Sequence, residues 1–250
     1  MPSAGDNIVN SQLCKNLPIC IIFGRPGSGK TTLAKAVIEH SEFVLSNEST
    51  EYTLQKQHHI SKSEHTNFAL KDSSKERTVR FLHLDLDCCI PKWMKENFSK
   101  GIYPTLEQRL QFASDGAEYV KNEIRDIFSS FRPNLALISF SFVNSDLRES
   151  FIESFQQEFS VPNENQNEKI SSILHWILMD TSVKECNGRI LKREGHFYEN
   201  QNNEFIAKEI ESEWIFAPVT FEHLRLDGQL PIQYNASVVF NHIQEIVARS

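Results

Sequence analysis

At 250 residues, with 40% hydrophobic and 24% charged residues, the chain has the size and composition of one globular domain carrying an insertion or a small lid. Its formal net charge of −7 argues against a general polyanion binder, so no nucleic-acid partner is expected. No apolar run approaches the length of a membrane span, and residues 1–15 lack the basic flank and apolar core of a signal peptide, so no membrane partner is expected and the cytoplasm is the default compartment.

Residues 1–16 are polar and aperiodic and read as a loose extension, with one domain over 17–250. The apolar run Ile19-Cys20-Ile21-Ile22-Phe23 predicts a buried parallel strand. It leads into Gly24-Arg25-Pro26-Gly27-Ser28-Gly29-Lys30-Thr31, which fits G-x-x-x-x-G-K-[ST], and then into an apolar-periodic helix beginning at Thr32. Strand, glycine-rich turn and helix together make a phosphate cradle. Backbone N–H groups wrap the anion where no Cβ intrudes, and the helix N-terminus adds its field. Residues 24–32 are therefore candidates for binding ATP, with Lys30 reaching the β- and γ-phosphates and the Thr31 hydroxyl ligating Mg²⁺.

The helix is expected to end near His40 or Ser41. Residues 46–76 are rich in Ser, Lys, Glu, His, Asn and Gln and predict a disordered polar insertion, in which His58, His59 and His65 are read as solvated rather than metal-binding. A second strand, Val79-Arg80-Phe81-Leu82-His83-Leu84-Asp85, ends in a pair of carboxylates, Asp85 and Asp87. Such a group at a strand end can orient Mg²⁺ through water or accept a proton from an attacking hydroxyl.

A helix over 106–131 buries Leu106, Leu110, Ala113, Ala117, Val120, Ile124, Ile127 and Phe131, and Arg132-Pro133-Asn134 stops it. A third strand spans 135–143 and contains Ser141, and a helix over about 146–159 follows. A fourth strand covers 173–179, and the helical segment after it carries Arg189 and Arg193 on one face, with His196 nearby. Residues 200–216 show a Glu-rich helical face that reads as packing, a fifth strand falls at 221–226, and a helix over 235–248 closes the chain. Strands alternating with helices, without hairpin signals, predict an α/β fold with a parallel sheet covered on both faces. Five cysteines, odd in number and without C-x-x-C spacing, read as reduced thiols.

Leu84-Asp85-Leu86-Asp87 followed by Pro91, Gly101 and Arg109 resembles the substrate-binding region of bacterial-type gluconate kinases. Ile138-Ser139-Phe140-Ser141 with Leu147-Arg148-Glu149 resembles a further segment of that family. The stretch Arg189-Ile190-Leu191-Lys192-Arg193-Glu194-Gly195-His196-Phe197 resembles its lid. The likeness runs from about Ile19 to the C-terminus and omits the insertion. It implies a nucleoside-monophosphate-kinase-type fold: a five-stranded parallel sheet, helices on both faces and a mobile lid at about 186–203.

It further implies an ATP- and Mg²⁺-dependent kinase for a small anionic acceptor, gluconate or a related sugar acid. Lys30, Asp87, Arg189 and Arg193 would be catalytic, with Asp85, Asp87, Arg109, Ser141, Arg148 and His196 on the acceptor. Thr31 would hold Mg²⁺, with Asp87 a second candidate through water. The substrate side departs from the family pattern: Cys88-Cys89-Ile90 stands before Pro91, with Ile90 in place of a histidine, and Asn144 replaces a lysine. Other acceptors (shikimate, a nucleotide, a tRNA-linked group) and a regulatory protein without transfer activity are the competing readings.

Overall fold

A computed structural model describes residues 17–48, 55–57, 64–72, 75–98, 100, 102–128, 133–159, 174–192 and 216–249. The strands are β1 (Ile19–Phe23), β2 (Gln55–Gln57), β3 (Glu64–Asp72), β4 (Lys75–Asp85), β5 (Leu135–Phe140), β6 (Leu174–Asp180) and β7 (Leu224–Asp227). The helices are α1 (Lys30–Glu48), α2 (Lys92–Phe98), α3 (Leu106–Phe128), α4 (Ser145–Phe159), α5 (Val183–Leu191) and α6 (Ile232–Arg249), with a 3-10 turn at Leu86–Cys88. No described helix is long and apolar enough to cross a membrane.

One sheet runs in the order β2-β3-β4-β5-β1-β6-β7. Strand β1 lies between β5 and β6 and pairs parallel with both, while β4–β5 and β6–β7 are also parallel, giving the five parallel strands expected. All five β1 residues are buried, which is why the strand reads as an unbroken apolar run rather than an alternating one.

Each face of the sheet has its own core. On one, Ile21, Phe23, Leu84 and Ile138 pack with Ala117, Val120 and Ile124 of α3 and Phe151 and Phe155 of α4. On the other, Cys20, Ile22 and Leu137 meet Leu33 and Val37 of α1 and Val239, Phe240 and Ile243 of α6. The α3 stripe is buried from Ala113 to Ile127, whereas Leu106 and Leu110, expected on it, are exposed, and Phe131 lies outside the described residues.

Within the polar stretch 46–76, expected as a disordered insertion, the described residues take up regular structure, while 49–54, 58–63 and 73–74 lie outside the described residues. Helix α1 continues to Glu48, since no Gly or Pro breaks it after Ser41. Strands β2, β3 and β4 then form an antiparallel extension of the sheet, with Glu64 opposite His83 and Asp72 opposite Lys75. The physical reason lies in β4. Its outer edge would otherwise present a row of unpaired N–H and C=O groups, and pairing with β3 satisfies them through backbone bonds that need no apolar side chains.

Strand β5 stops at Phe140 rather than 143 because the chain turns sharply: Phe142 has φ +42, a left-handed conformation unusual for an aromatic residue. Its ring packs against Phe140, Phe151 and Trp176, and its carbonyl accepts a bond from Arg148, so the surroundings hold it there.

Candidate active site

The functional side chains collect at the carboxyl ends of the parallel strands, where open α/β sheets bind ligands. Beyond β1 the chain forms the glycine-rich loop, with φ +149 at Gly24 and +78 at Gly27. A Cβ on Gly24 would lie 2.5 Å from the Met179 carbonyl oxygen, and one on Gly27 would lie 2.5 Å from that of Cys186. These positions take glycine for two reasons at once: the backbone sign and the lack of room.

The loop is tightened by Ser28 N–H donating to the Arg25 carbonyl (3.1 Å), and Lys30 Nζ donates to that same carbonyl (2.9 Å). The Ser28 hydroxyl is fully buried and has no partner among the described residues. An orphaned hydroxyl inside a glycine cradle fits a polyphosphate, whose oxygens would give it an acceptor.

Next to the loop, the Thr31 hydroxyl donates to Asp85 Oδ2 (2.9 Å), and Asp85 Oδ1 accepts the Asp87 N–H (3.1 Å). A hydroxyl and a carboxylate in contact at a phosphate loop are the oxygen donors that Mg²⁺ takes in phosphoryl-transfer sites. Asp85, expected on the acceptor, is thus bonded to Thr31, the expected Mg²⁺ ligand. Asp87 is exposed and lines the cavity. Beneath them lies a buried polar pair, Ser139 Oγ and His83 Nε2 at 3.5 Å, with Ser139 in register with Asp85.

The cavity has a volume of about 640 Å³. Sheet order fixes its ends. On the β4–β5 side it is walled by Asp85, Asp87, Ile90, Phe98, Phe140 and Ser141, in the middle by the loop with Thr31 and Thr32, and on the β6–β7 side by Arg189, Ile190, Ile232 and Gln233.

Arg189 joins three segments. Its Nη1 donates to the Ser28 carbonyl (3.0 Å), its Nη2 to the Gly228 carbonyl (3.0 Å) and its Nε to Glu185 (3.0 Å). The Ser28 carbonyl also accepts from the Thr181 hydroxyl (3.3 Å). Arg193 and His196, and with them most of the expected lid, lie outside the described residues.

Two expected acceptor ligands are engaged elsewhere. Arg109 donates from Nε to Asp146 Oδ2 (3.0 Å) and from Nη1 to the Pro104 carbonyl (3.0 Å), and its Nη2 also meets Asp146. Arg148 is almost wholly buried. It donates to the carbonyls of Phe142 (2.8 Å), Val143 (2.9 Å), Ala217 (2.7 Å) and Pro218 (3.0 Å), with its guanidinium over the rings of Phe216 and Phe23. Burial draws its pKa below the usual arginine value, with Glu149 and Asp146 acting in the opposite sense. Neither arginine lines the cavity. Phe98, Ile232 and Gln233 line the cavity without belonging to any motif, and Phe140 does so from within a segment of the resemblance that gave it no role.

Two glycines give opposite expectations. Gly27→Ala places a Cβ against the Cys186 carbonyl at positive φ, and should cost about 1–3 kcal/mol and weaken nucleotide binding. Gly188 lies inside α5 with nothing within 4 Å of its would-be Cβ, so Gly188→Ala should gain about 1 kcal/mol. Thermal melts of the two variants check both.

Solved structures similar to this chain include a sugar kinase from Janibacter sp. HTCC2649, with TM-score 0.53, 16% identity, and coverage of 91% of this chain and 95% of that one. A gluconokinase from Sinorhizobium meliloti 1021 matches with TM-score 0.50, 16% identity, and coverage of 92% and 95%. The fold is that of the P-loop kinases. At these identities the likeness is one of fold. No protein-family model and no curated sequence matches the chain.

Proposed function

We propose that this P-loop kinase fold serves an ATP-dependent kinase, transferring the γ-phosphoryl group to a hydroxyl of a small acceptor. The observation that carries the reading is the Thr31–Asp85 contact beside the glycine loop, with Asp87 two residues on and open to the same cavity. The loop amides and Lys30 hold the phosphates, and Arg189, anchored on the loop itself, adds positive charge at the β6–β7 side. Thr31, with Asp85 behind it, would hold Mg²⁺, which when bound would neutralise phosphate charge. Asp87 accepts the proton of the acceptor hydroxyl as its oxygen bonds to phosphorus and the bond to the ADP oxygen breaks.

Gluconate or a related sugar acid is the acceptor that the sequence resemblance favours. With Arg109 and Arg148 engaged in the protein, its carboxylate would be met by the lid residues Arg193 and His196. A second reading, an acceptor with a flat apolar face such as a nucleoside or nucleotide, is favoured by Phe98, Phe140 and Ile90 at the β4–β5 end of the cavity.

ADP release with Mg-ATP across D-gluconate, other sugar acids, shikimate, nucleosides and nucleoside monophosphates tests both. Turnover with sugar acids alone supports the first, and turnover with nucleosides or nucleotides alone supports the second. Silence across the panel with ATP bound overturns both acceptors and supports a regulatory protein or an acceptor outside the panel, such as a tRNA-linked group. Asp87→Asn should lower kcat by about 10²–10⁴-fold while leaving ATP affinity within about twofold. A loss confined to ATP affinity would remove Asp87 from the transfer step.

A further inference from the structure

Two thiols stand between Asp87 and the cavity residue Ile90, and the transfer reaction has no use for them. Cys88 ends the 3-10 turn and Cys89 caps it, its N–H donating to the Leu86 carbonyl (2.9 Å). The two sulfurs are 3.8 Å apart, in van der Waals contact. Both residues are partly exposed, whereas Cys20 and Cys186 are buried.

We propose that Cys88 and Cys89 form an oxidation site, a vicinal dithiol that a peroxide closes to an intrachain disulfide and so remodels the turn presenting Asp87. The site stands independently of the kinase reading, and its consequence for phosphoryl transfer rests on that reading.

The chemistry balances without a cofactor. One sulfur attacks a peroxide oxygen, the O–O bond breaks, and the sulfur becomes a sulfenic acid while the other oxygen leaves as water or alcohol. The neighbouring sulfur attacks the sulfenic sulfur and displaces its oxygen as water. Both thiol protons end in the water and alcohol formed, the sulfur pair loses two electrons, and the peroxide gains them.

Geometry makes the product consequential and reversible. Consecutive Cα atoms are about 3.8 Å apart, shorter than the usual span of about 4.4–6.8 Å for a disulfide. Closing the eight-membered ring therefore turns the peptide between Cys88 and Cys89 away from the 3-10 geometry and breaks the Cys89–Leu86 bond. The Asp87 N–H, bonded to Asp85, lies one residue upstream. A bond closed under such strain is readily reduced, which suits a reversible mark.

The test uses reduced full-length protein, treated with a few equivalents of hydrogen peroxide, blocked with an alkylating reagent and digested with trypsin. Cleavage after Arg80 and Lys92 leaves both cysteines and both carboxylates on peptide 81–92. That peptide should be about 2 Da lighter with neither thiol blocked, and a dithiol reductant should restore it. Amide exchange at residues 87–89 should rise about tenfold or more in the oxidised form as the turn opens.

Cys88→Ser and Cys89→Ser should each lose the mass change, and Cys14→Ser should keep it. Should either serine variant fail to fold, phenylarsine oxide replaces it as a probe: one arsenical should shield both thiols of wild-type peptide 81–92 from alkylation. Thiols that remain blockable, a disulfide to Cys14, sulfinic or sulfonic acid without disulfide, or unchanged amide exchange would each overturn the proposal. Mass and exchange are read without turnover. A reduced protein that releases no ADP with any acceptor would count against the kinase reading alone.

Discussion

Lys30→Ala is expected to lower acceptor-dependent ADP release by about 10³-fold, with a smaller loss of ATP affinity. The reason is that phosphoryl transfer leaves the protein little covalent chemistry to perform. Positioning and charge stabilisation supply the acceleration, and removing one preorganised donor of this kind costs about that much. Lys30 is well placed for it. The side chain is buried at the first turn of α1, and its ammonium is held 2.9 Å from the Arg25 carbonyl at the mouth of the loop. A coupled assay at saturating ATP reads kcat, and a thermal melt shows that the variant is folded. Turnover retained within about tenfold would take the glycine loop out of the transfer step.

The second large effect is one of stability. Arg148→Met keeps much of the side-chain volume and removes the guanidinium, leaving the Phe142, Val143, Ala217 and Pro218 carbonyls without the donor that now serves all four. Losing a buried, hydrogen-bonded cation of this sort costs about 3–5 kcal/mol. In a chain of this size that corresponds to a melting temperature lower by roughly 10 °C. If Arg148 instead held the acceptor, as the family resemblance implies, the variant would melt like wild type and show only a raised KM. Melting curves and steady-state kinetics on one preparation separate the two roles.

The contrast between these arginines shows what the sequence made legible. The glycine loop was readable because its chemistry constrains consecutive residues: backbone sign, room for phosphate and the helix start all fall within eight positions. Strands β1 and β5 were readable for a similar reason, since strands buried on both faces leave nearly unbroken apolar runs. The burial of Arg148 on backbone carbonyls was not legible in its motif, because a motif records residue type, not burial. A signal was nevertheless present. Arg148 sits three residues before Phe151 and seven before Phe155, on the apolar stripe of α4, where a charged side chain must find partners inside.

Arg109 left no such trace, because its partner Asp146 is distant in sequence and on another helix. The strands of the polar stretch were hidden for a different reason. An edge pairing is made by the backbone, and composition reports side chains.

The central position of β1 bears on how the molecule is made. Ile19 pairs with Ala136 on one side and Leu174 on the other, partners that leave the ribosome more than a hundred residues later. The loop that follows is completed only by contacts from Thr181, Arg189 and Gly228. A growing chain therefore carries the glycine-rich segment well before the residues that complete its loop, and the loop closes only once residues as far on as Gly228 have been made and the long-range pairings form. On the proposed reading, a nucleotide held by that loop would act as ballast for molecules in which these pairings have closed, shifting their equilibrium away from unfolding while giving no help to chains in which they have not.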